Sequence, residues 1–323
     1  MELKGIHHVS AMTANAEKNL DFYKNIMGMR LVKKTVNQDD TSMYHLFYGD
    51  EKGNPGTELT FFEIPMLAKN HKGVRSISSI SLRVKDDKAL TYWKARFEEF
   101  GVDHEDIKKR ANRKTLAFTD PEGQQLILVS DEENIGVAAG VPWDKSTVPV
   151  ESGVTGLGPV SLTVKNPEPT EHVLTNVMGF RRKGTYPSPV AGQPGIVVFE
   201  TGEGGSGAEI HLEERNDLPE ARLGRGGVHH VALRVENEDE LHQWIKKIRS
   251  ARFPNSGFVD RFYFRSFYFR EPNGILFELA TDGPGFDTDE HIDHLGESLA
   301  LPPFLEEKRD EIEAKLRPLQ LKK

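Results

Sequence analysis

The sequence contains two pairs of adjacent histidines, His7-His8 within GIHHVS and His229-His230 within GVHHVA. Each pair is flanked by branched apolar residues, a setting typical of a β-strand. Imidazole binds transition metals and exchanges protons near neutral pH, so each pair is a candidate for metal or acid–base chemistry. The recurrence of the pair indicates that one structural unit is repeated in the chain.

Two weaker echoes of this stretch lie between the pairs, SISSISLRV at 76–84 and GLGPVSLTV at 156–164. The second position of the pair can therefore be compared across four copies, in which it is His8, Ser79, Pro159 and His230. Only the first and fourth copies place a metal-binding side chain there.

The fourth copy also contains a carboxylate in an apolar run, Glu278 within ILFELA, four residues after a turn glycine. The corresponding positions in the other copies are Thr60, Ile127 and His211. A carboxylate buried among Ile, Leu and Phe destabilises the fold by several kcal/mol unless it is paired or bound to a metal. Glu278 therefore requires a partner.

His8, His230 and Glu278 converge if the first and fourth copies pack together. Two imidazoles and one carboxylate are the ligand set of non-haem Fe(II) oxygenases, which leaves coordination positions open. The fourth equivalent position is Thr60, a poor ligand, so one face of the metal would stay free.

A structural role is the main alternative for such residues, because a single histidine pair in a strand is usually just hydrogen-bonded. Two pairs at equivalent positions, together with Glu278, favour a metal site. His211 has no such companions and is expected to be a hydrogen-bonded or packing residue. The acidic stretch FDTDEHIDH at 286–294 lies outside the repeats, and we expect a solvated or lid segment there rather than a metal site.

The four copies have the pattern β-α-β-β-β, which we call a module. Apolar residues three and four apart predict helices over 16–27, 87–100, 168–178 and 238–251, and short extended runs follow each of them. Modules 2 and 4 share an acid-Pro-X-Gly turn between their last strands, in FTDPEGQQLILVSD and FREPNGILFELATD. In a regular strand His8 and Ser10 share one face, and His7 points to the other.

The repeats predict an α+β fold of two tandem domains with two modules each. The predicted domains are 1–135 and 154–285, separated by a Gly- and Pro-containing stretch and followed by a tail at 286–323.

Composition excludes several classes of protein. The net charge of −8 argues against nucleic-acid binding, and no apolar run is long enough to span a membrane. The absence of cysteine excludes thiolate metal sites and cysteine nucleophiles, so a metal would be held by His, Asp, Glu or water. No secretion signal precedes the first strand pattern, so we expect a cytoplasmic protein with a small-molecule partner.

The repeated modules, the two histidine pairs and the FE of the last strand resemble the vicinal oxygen chelate superfamily of glyoxalases, bleomycin-resistance proteins and extradiol dioxygenases. Nearly the whole chain is similar to its hydroquinone-cleaving members, of the 2,6-dichlorohydroquinone 1,2-dioxygenase type. The similarity includes YHLFYGDEKGNPGT at 44–57, DRFYFRSFYFREPNGILFE at 260–278 and LPPF at 301–304.

This resemblance implies a ring-cleaving dioxygenase that uses Fe(II), or alternatively Mn(II), with O₂ as co-substrate and a small aromatic diol as substrate, in a possible homo-oligomer. The implied metal ligands are His8, His230 and Glu278. The implied catalytic or substrate-contacting residues are His7, Ser10, His229, Arg261 and Tyr268, with Ser10 standing where the family pattern has Thr. Extradiol catechol cleavage, a glyoxalase-like isomerase or lyase activity, and drug binding without catalysis remain alternatives.

Overall fold

The computed structural model describes residues 1–319 and contains sixteen β-strands in four modules. Module 1 contains β1 (Ile6–Thr13), β2 (Arg30–Asn37), β3 (Asp40–Gly49) and β4 (Glu58–Glu63). Module 2 contains β5 (Ser76–Val84), β6 (Lys108–Arg110), β7 (Arg113–Thr119) and β8 (Gln125–Ser130). Module 3 contains β9 (Val154–Val164), β10 (Arg181–Tyr186), β11 (Ile196–Glu200) and β12 (Glu209–Glu214). Module 4 contains β13 (Val228–Val235), β14 (Asn255–Asp260), β15 (Phe264–Arg270) and β16 (Leu276–Pro284).

Each module has its helix between the first and second strands, as the apolar spacing predicted. These helices are α1 (Ala16–Leu20), α2 (Asp87–Phe100), α3 (Glu168–His172) and α4 (Glu238–Ser250). In modules 1 and 3 the helix continues as a π-helical segment, Asp21–Ile26 and Val173–Val177. The helix α2 begins after Asp86, whose side chain accepts a hydrogen bond from the Ala89 N–H. It is followed by Gly101 in the left-handed conformation, which glycine adopts without the steric strain of a side chain.

The strands form two eight-stranded sheets of identical design. One sheet combines modules 1 and 4 in the order β14-β15-β16-β13-β1-β4-β3-β2, and the other combines modules 2 and 3 in the order β10-β11-β12-β9-β5-β8-β7-β6. We call them the outer-module sheet and the inner-module sheet. In each sheet two first strands pair antiparallel at the centre, and each pairs in parallel with the last strand of its own module.

The α+β fold of four βαβββ modules is therefore confirmed. Each sheet takes one module from the first half of the chain and one from the second. Each sheet therefore contains strands from both of the domains predicted from sequence. The predicted boundaries of those domains, at residues 135 and 154, stay a prediction. The consequence for function is that residues of module 1 and module 4 share one sheet.

The tail follows β16 and contributes two short helices, α5 (Pro303–Glu306) and α6 (Arg309–Lys315). It is anchored to module 1, because the Ala300 N–H donates to the Lys34 carbonyl and the Tyr44 hydroxyl donates to the Arg317 carbonyl. Among the described residues, the helices are too short or too polar to cross a bilayer.

Candidate metal centre and substrate cleft

Each histidine pair lies at a β-bulge where the central strands β1 and β13 meet. On β1, Ile6 pairs with Leu233 and Val9 with Val231, so His7 and His8 together oppose one residue of β13. On β13 the irregularity recurs at His229, between the residues that pair with Ser10 and Ala11. Bulges re-aim side chains next to functional sites, and here they bring neighbouring rings of one strand into contact.

The two rings of each pair are joined through their Nδ1 atoms, at 2.9 Å between His7 and His8 and 2.8 Å between His229 and His230. The Nε2–H of His7 donates to the Thr281 carbonyl at 3.0 Å, so Nδ1 of His7 accepts the proton of His8 Nδ1. This fixes the tautomer of His8 that has its lone pair on Nε2. Burial also lowers the pKa of both His7 and His229 to about 3, which keeps these rings neutral.

The predicted opposite orientations of His7 and His8 are retained only in part. His8 and Ser10 both line the cleft whose walls include Phe47, Phe62 and Phe264, as expected from strand alternation, and His7 does not line it. The bulge nevertheless turns the edge of the His7 ring toward His8, with the two ring planes 85° apart.

His8, His230 and Glu278 converge at the closed end of this cleft. Glu278 Oε2 lies 3.0 Å from His8 Nε2 and 2.9 Å from His230 Nε2, and the two Nε2 atoms are 3.3 Å apart. All three side chains are buried. Module 1 therefore supplies one potential ligand and module 4 supplies two, which is the convergence expected if these modules pack together.

These three side chains fit a metal ion. Glu278 Oε2 is buried and forms no hydrogen bond of acceptable geometry, although two imidazole nitrogens lie within 3.0 Å of it. Its other oxygen, Oε1, accepts a 2.6 Å hydrogen bond from the Ser266 hydroxyl, which orients the carboxylate. Burial raises the pKa of Glu278, but the imidazoles of His8 and His230 outweigh it and hold this pKa well below its usual range. A carboxylate oxygen and two imidazole nitrogens within 3.3 Å of one another are a donor set that suits a divalent cation.

A second buried group, His7, His8 and Glu58, overlaps the first but suits a metal poorly. The Nδ1 atoms of its two histidines bond to each other. Burial, followed by repulsion from Asp50, raises the pKa of Glu58 well above its usual range, which favours the neutral form of this carboxyl group. A neutral carboxylic acid is a weak metal ligand.

Thr60 occupies the position equivalent to Glu278, as the sequence predicted. It pairs with Ser10 on β1 in the same register that pairs Glu278 with Ala232 on β13. Its hydroxyl is hydrogen-bonded to the Ser10 hydroxyl at 2.8 Å and to His45 Nε2 at 2.9 Å. The hydroxyl is therefore engaged, and within residues 1–319 no fourth carboxylate or imidazole is grouped with these three, as a glyoxalase-like four-ligand site would require.

Above this site lies a cleft of about 450 Å³ with mainly aromatic walls. Phe264 packs against His8, with ring centroids 5.1 Å apart, and Phe62 packs against His229 at 5.9 Å. His45 lies between Phe47 and Phe62, 4.0 Å from each ring. The cleft thus offers flat apolar surfaces around a polar closed end, a combination that suits a small aromatic molecule.

Arg261 and Tyr268 line the same cleft. The Arg261 Nε–H points to the Tyr268 hydroxyl oxygen at 3.4 Å, so the tyrosine proton stays available to a ligand. Arg261 also forms a bidentate pair with Asp39, at 3.1 and 2.9 Å, and its carbonyl accepts from the Gln38 amide at 2.8 Å. The turn between β2 and β3 is thereby joined to module 4 across the mouth of the cleft.

The stretch 286–294 is exposed over most of its length, as expected for a solvated segment, but part of it is fixed to the sheet. Phe286 is buried, and Asp289 and Glu290 both bind the fully buried Lys33 ammonium, Asp289 at 2.7 Å. Asp289 also accepts a 2.8 Å hydrogen bond from the hydroxyl of Tyr263, a residue of the cleft wall. An apolar anchor and a buried cation hold this segment against the sheet, so it supports the cleft.

His211 lies in the inner-module sheet, away from the triad. It is hydrogen-bonded to Tyr186 and Glu209, as expected for a structural histidine. Sequence reasoning missed three cleft residues, His45, Asp39 and Tyr263. His45 could have been found from the strand register, because it pairs with Phe62, two residues beyond Thr60. The roles of Asp39 and Tyr263 depend on contacts between distant segments and left no local signal.

The model of the Glyoxalase/Bleomycin resistance protein/Dioxygenase superfamily matches residues 5–128 and 156–279. The chain is 60% identical over 320 residues to "Putative ring-cleaving dioxygenase MhqA" of Bacillus subtilis (strain 168), covering 99% of this chain and 100% of the relative. It is 29% identical over 315 residues to "Chlorohydroquinone/hydroquinone 1,2-dioxygenase" of Sphingobium indicum, covering 96% and 95%. A crystal structure of a "putative dioxygenase from Bacillus subtilis subsp. subtilis str. 168" superposes with a TM-score of 0.89 at 33% identity, covering 100% of this chain and 99% of that one. The chain therefore belongs to the Glyoxalase/Bleomycin resistance protein/Dioxygenase superfamily, among its members named ring-cleaving dioxygenases.

Proposed function

We propose that this protein is a non-haem Fe(II) enzyme that inserts both atoms of O₂ into the ring of a hydroquinone-type diol. The observation that carries the proposal is the convergence of His8, His230 and Glu278 at the closed end of an aromatic cleft, with Glu278 Oε2 buried and without a hydrogen bond. The similarity to a protein named for chlorohydroquinone and hydroquinone supports the substrate class.

The three side chains would hold the metal through Nε2 of His8, Nε2 of His230 and Oε2 of Glu278. When bound, Fe(II) supplies electron transfer between an electron-rich diol and O₂, which react slowly without a metal. Two neutral imidazoles and one carboxylate would leave one net positive charge on a divalent ion, which would favour an anionic oxygen of the substrate over a neutral one. Mn(II) accepts the same ligands and is the alternative metal.

The cleft residues would bind and orient the ring. Phe62 and Phe264 provide apolar surfaces on either side of the triad, and they also exclude water from it. Tyr268 is the donor for a substrate oxygen, since burial, together with the negative charge of Glu278, raises the pKa of its hydroxyl and keeps it protonated. Arg261 is permanently charged and lies beside Tyr268, where it stabilises negative charge that develops on oxygen.

A para-diol depends on these donors more than a catechol does. Its two hydroxyl groups are on opposite sides of the ring and cannot both reach one metal ion, so the protein must position the ring. A catechol would obtain most of its orientation from two bonds to the metal. The Arg261–Tyr268 pair on the cleft wall therefore favours the hydroquinone assignment over extradiol cleavage.

Anaerobic reconstitution with Fe(II), followed by O₂ uptake with hydroquinone, methylhydroquinone and catechol, tests the proposal. We expect one iron per chain and faster uptake with the para-diols, with ring-opened product detected by mass spectrometry. Catechol turnover ten times faster than that of methylhydroquinone would establish extradiol cleavage instead. Absence of iron binding would support a drug-binding protein of the same fold.

A further inference from the structure

The inner-module sheet encloses a second cleft, of about 640 Å³, at the place equivalent to the metal centre. Ser81 pairs with Ile127 and Ser161 with His211, in the register that pairs Ser10 with Thr60 and Ala232 with Glu278 in the other sheet. The positions equivalent to the triad and Thr60 are Ser79, Pro159, His211 and Ile127. One imidazole among four positions cannot form a three-ligand metal site.

This cleft has polar groups that the fold does not use. The side chains of Ser79, Ser81 and Ser161 line it, and within residues 1–319 their hydroxyl groups have no protein hydrogen-bond partner. Ser81 is buried in the sheet and lines the cleft. In the outer-module sheet the hydroxyl at the corresponding position, on Ser10, is instead bonded to Thr60. Ser79 and Ser161 are partly exposed, and cleft-lining hydroxyl groups of this kind can bond to an oxygen-bearing ligand or to water.

A charged network orients a tyrosine at one wall of this cleft. Glu209 is buried and accepts two 2.8 Å hydrogen bonds from Arg113 and one of 3.0 Å from Lys183. It also accepts from His211 Nε2–H at 3.1 Å, which in the neutral imidazole leaves His211 Nδ1 as the acceptor. The Tyr186 hydroxyl therefore donates to His211 Nδ1, at 3.0 Å, and its oxygen presents lone pairs to the cleft.

The orientation of Tyr186 defines the ligand chemistry. In the metal cleft the Tyr268 oxygen accepts from Arg261 and its proton is free, whereas here the proton is used and the oxygen is free. Tyr186 thus selects a ligand that donates O–H groups. Part of the wall is apolar, formed by Ile127, Val129 and Ile196, and suits a flat ring. Charges of both signs, on Arg110 and Glu213, line the cleft as well, and Glu209 is already paired with Arg113 and Lys183.

We propose that the inner-module cleft is a second binding site that takes a small phenol or hydroquinone-type diol without metal and without turnover. The proposal goes beyond the ring-cleavage activity and does not depend on it, because its residues are separate from the triad.

The test uses the full-length His8→Ala/His230→Ala protein, in which the metal centre is disabled, and anaerobic calorimetric titration with methylhydroquinone. We expect one equivalent to bind. Ser79→Leu in this background should weaken binding at least about tenfold, since the equivalent position in module 1 accommodates a histidine and the added side chain fills the cleft. Ser250→Leu, the same change on the exposed end of α4, should leave binding unchanged.

A second probe and a milder variant keep the outcome decisive. 2,5-Dimethoxytoluene has the same ring with both hydroxyl groups blocked, and we expect it to bind at least about tenfold more weakly. Should circular dichroism show that Ser79→Leu is unfolded, Tyr186→Phe replaces it, with an expected loss of about tenfold from the missing acceptor. No binding in the parent double variant, or binding unchanged in both cleft variants, overturns the second site. Neither result affects the O₂-uptake test of ring cleavage.

Discussion

The outer-module and inner-module sheets share one strand order and one register, yet they differ at the four positions where a metal would be bound. The outer sheet has His8, His230, Glu278 and Thr60, and the inner sheet has Ser79, Pro159, His211 and Ile127 at the same places. The backbone alone is therefore insufficient for a metal site. The proposed chemistry depends on three side chains, which are present in one of the two sheets and absent from the equivalent positions of the other.

The neighbouring positions differ as well. Each ligand histidine of the outer sheet has a second histidine bonded to its Nδ1, whereas modules 2 and 3 have Ser78 and Gly158 there. His211 shows the contrast, because both its nitrogens are consumed by Tyr186 and Glu209. A histidine whose lone pair is used within the protein has none left for a metal.

The largest effect is expected from the triad. His8→Ala, His230→Ala and Glu278→Ala should each reduce bound iron to about a tenth or less and slow ring cleavage by roughly a thousandfold or more, because each removes one of three ligands. Metal analysis after anaerobic loading and O₂-uptake rates measure this. His211→Ala is the matched control and should retain iron. Full iron occupancy in Glu278→Ala would refute the ligand assignment.

A second, smaller effect is expected from the cleft donors. Tyr268→Phe and Arg261→Ala should each slow turnover of methylhydroquinone about a hundredfold with little loss of iron, because they remove a positioned donor but no ligand. Tyr186→Phe makes the same change in the inner sheet and should leave ring cleavage at the normal rate. Wild-type rates in both cleft variants would contradict the proposed positioning of the diol by Arg261 and Tyr268.

The third-largest effect is expected from His7 and His229, the histidines bonded to Nδ1 of His8 and His230, and it should appear as weaker metal binding. Loss of the partner on Nδ1 frees the ligand ring to change tautomer, so His7→Ala and His229→Ala should weaken Fe(II) binding about 10- to 100-fold. Competition with a chelator of known affinity gives the measurement. Ser78→Ala, at the position of His7 in module 2, serves as the comparison. Unchanged affinity in both histidine variants would show that the rings do not orient the ligands.

The smallest effect is expected from the tail, whose Asp289 contacts Lys33 and Tyr263 of the outer-module sheet. Asp289→Asn weakens the hydrogen bond from Tyr263 and should raise KM for methylhydroquinone about fivefold, equivalent to roughly 1 kcal/mol, with kcat almost unchanged. Steady-state O₂ uptake separates the two constants. Asp293→Asn, on the exposed side of the same segment, should have no effect, and an equal rise there would contradict the role of Asp289.

Much of the fold was accessible from sequence because strand alternation, helical spacing and turn residues are local signals. The acid-Pro-X-Gly turns lie where expected, and Gly123 and Gly274 have the left-handed φ angles that such turns require. Comparison between modules identified His8, His230 and Glu278 as a candidate set, since only these copies place metal-binding side chains in otherwise apolar strands. The same comparison correctly separated His211 from them.

Tertiary structure decided the rest. Three of these features connect residues that are distant in sequence: the pairing of module 1 with module 4, the Asp39–Arg261 ion pair and the ion pair of Asp289 with Lys33. The bulges that bring together the rings of each histidine pair depend on strand register. Local patterns determine which way a side chain points from its own strand. Which other strand it meets is determined by the packing of whole modules, so the sequence by itself indicated the candidate ligands and only the fold determined the surroundings in which they lie.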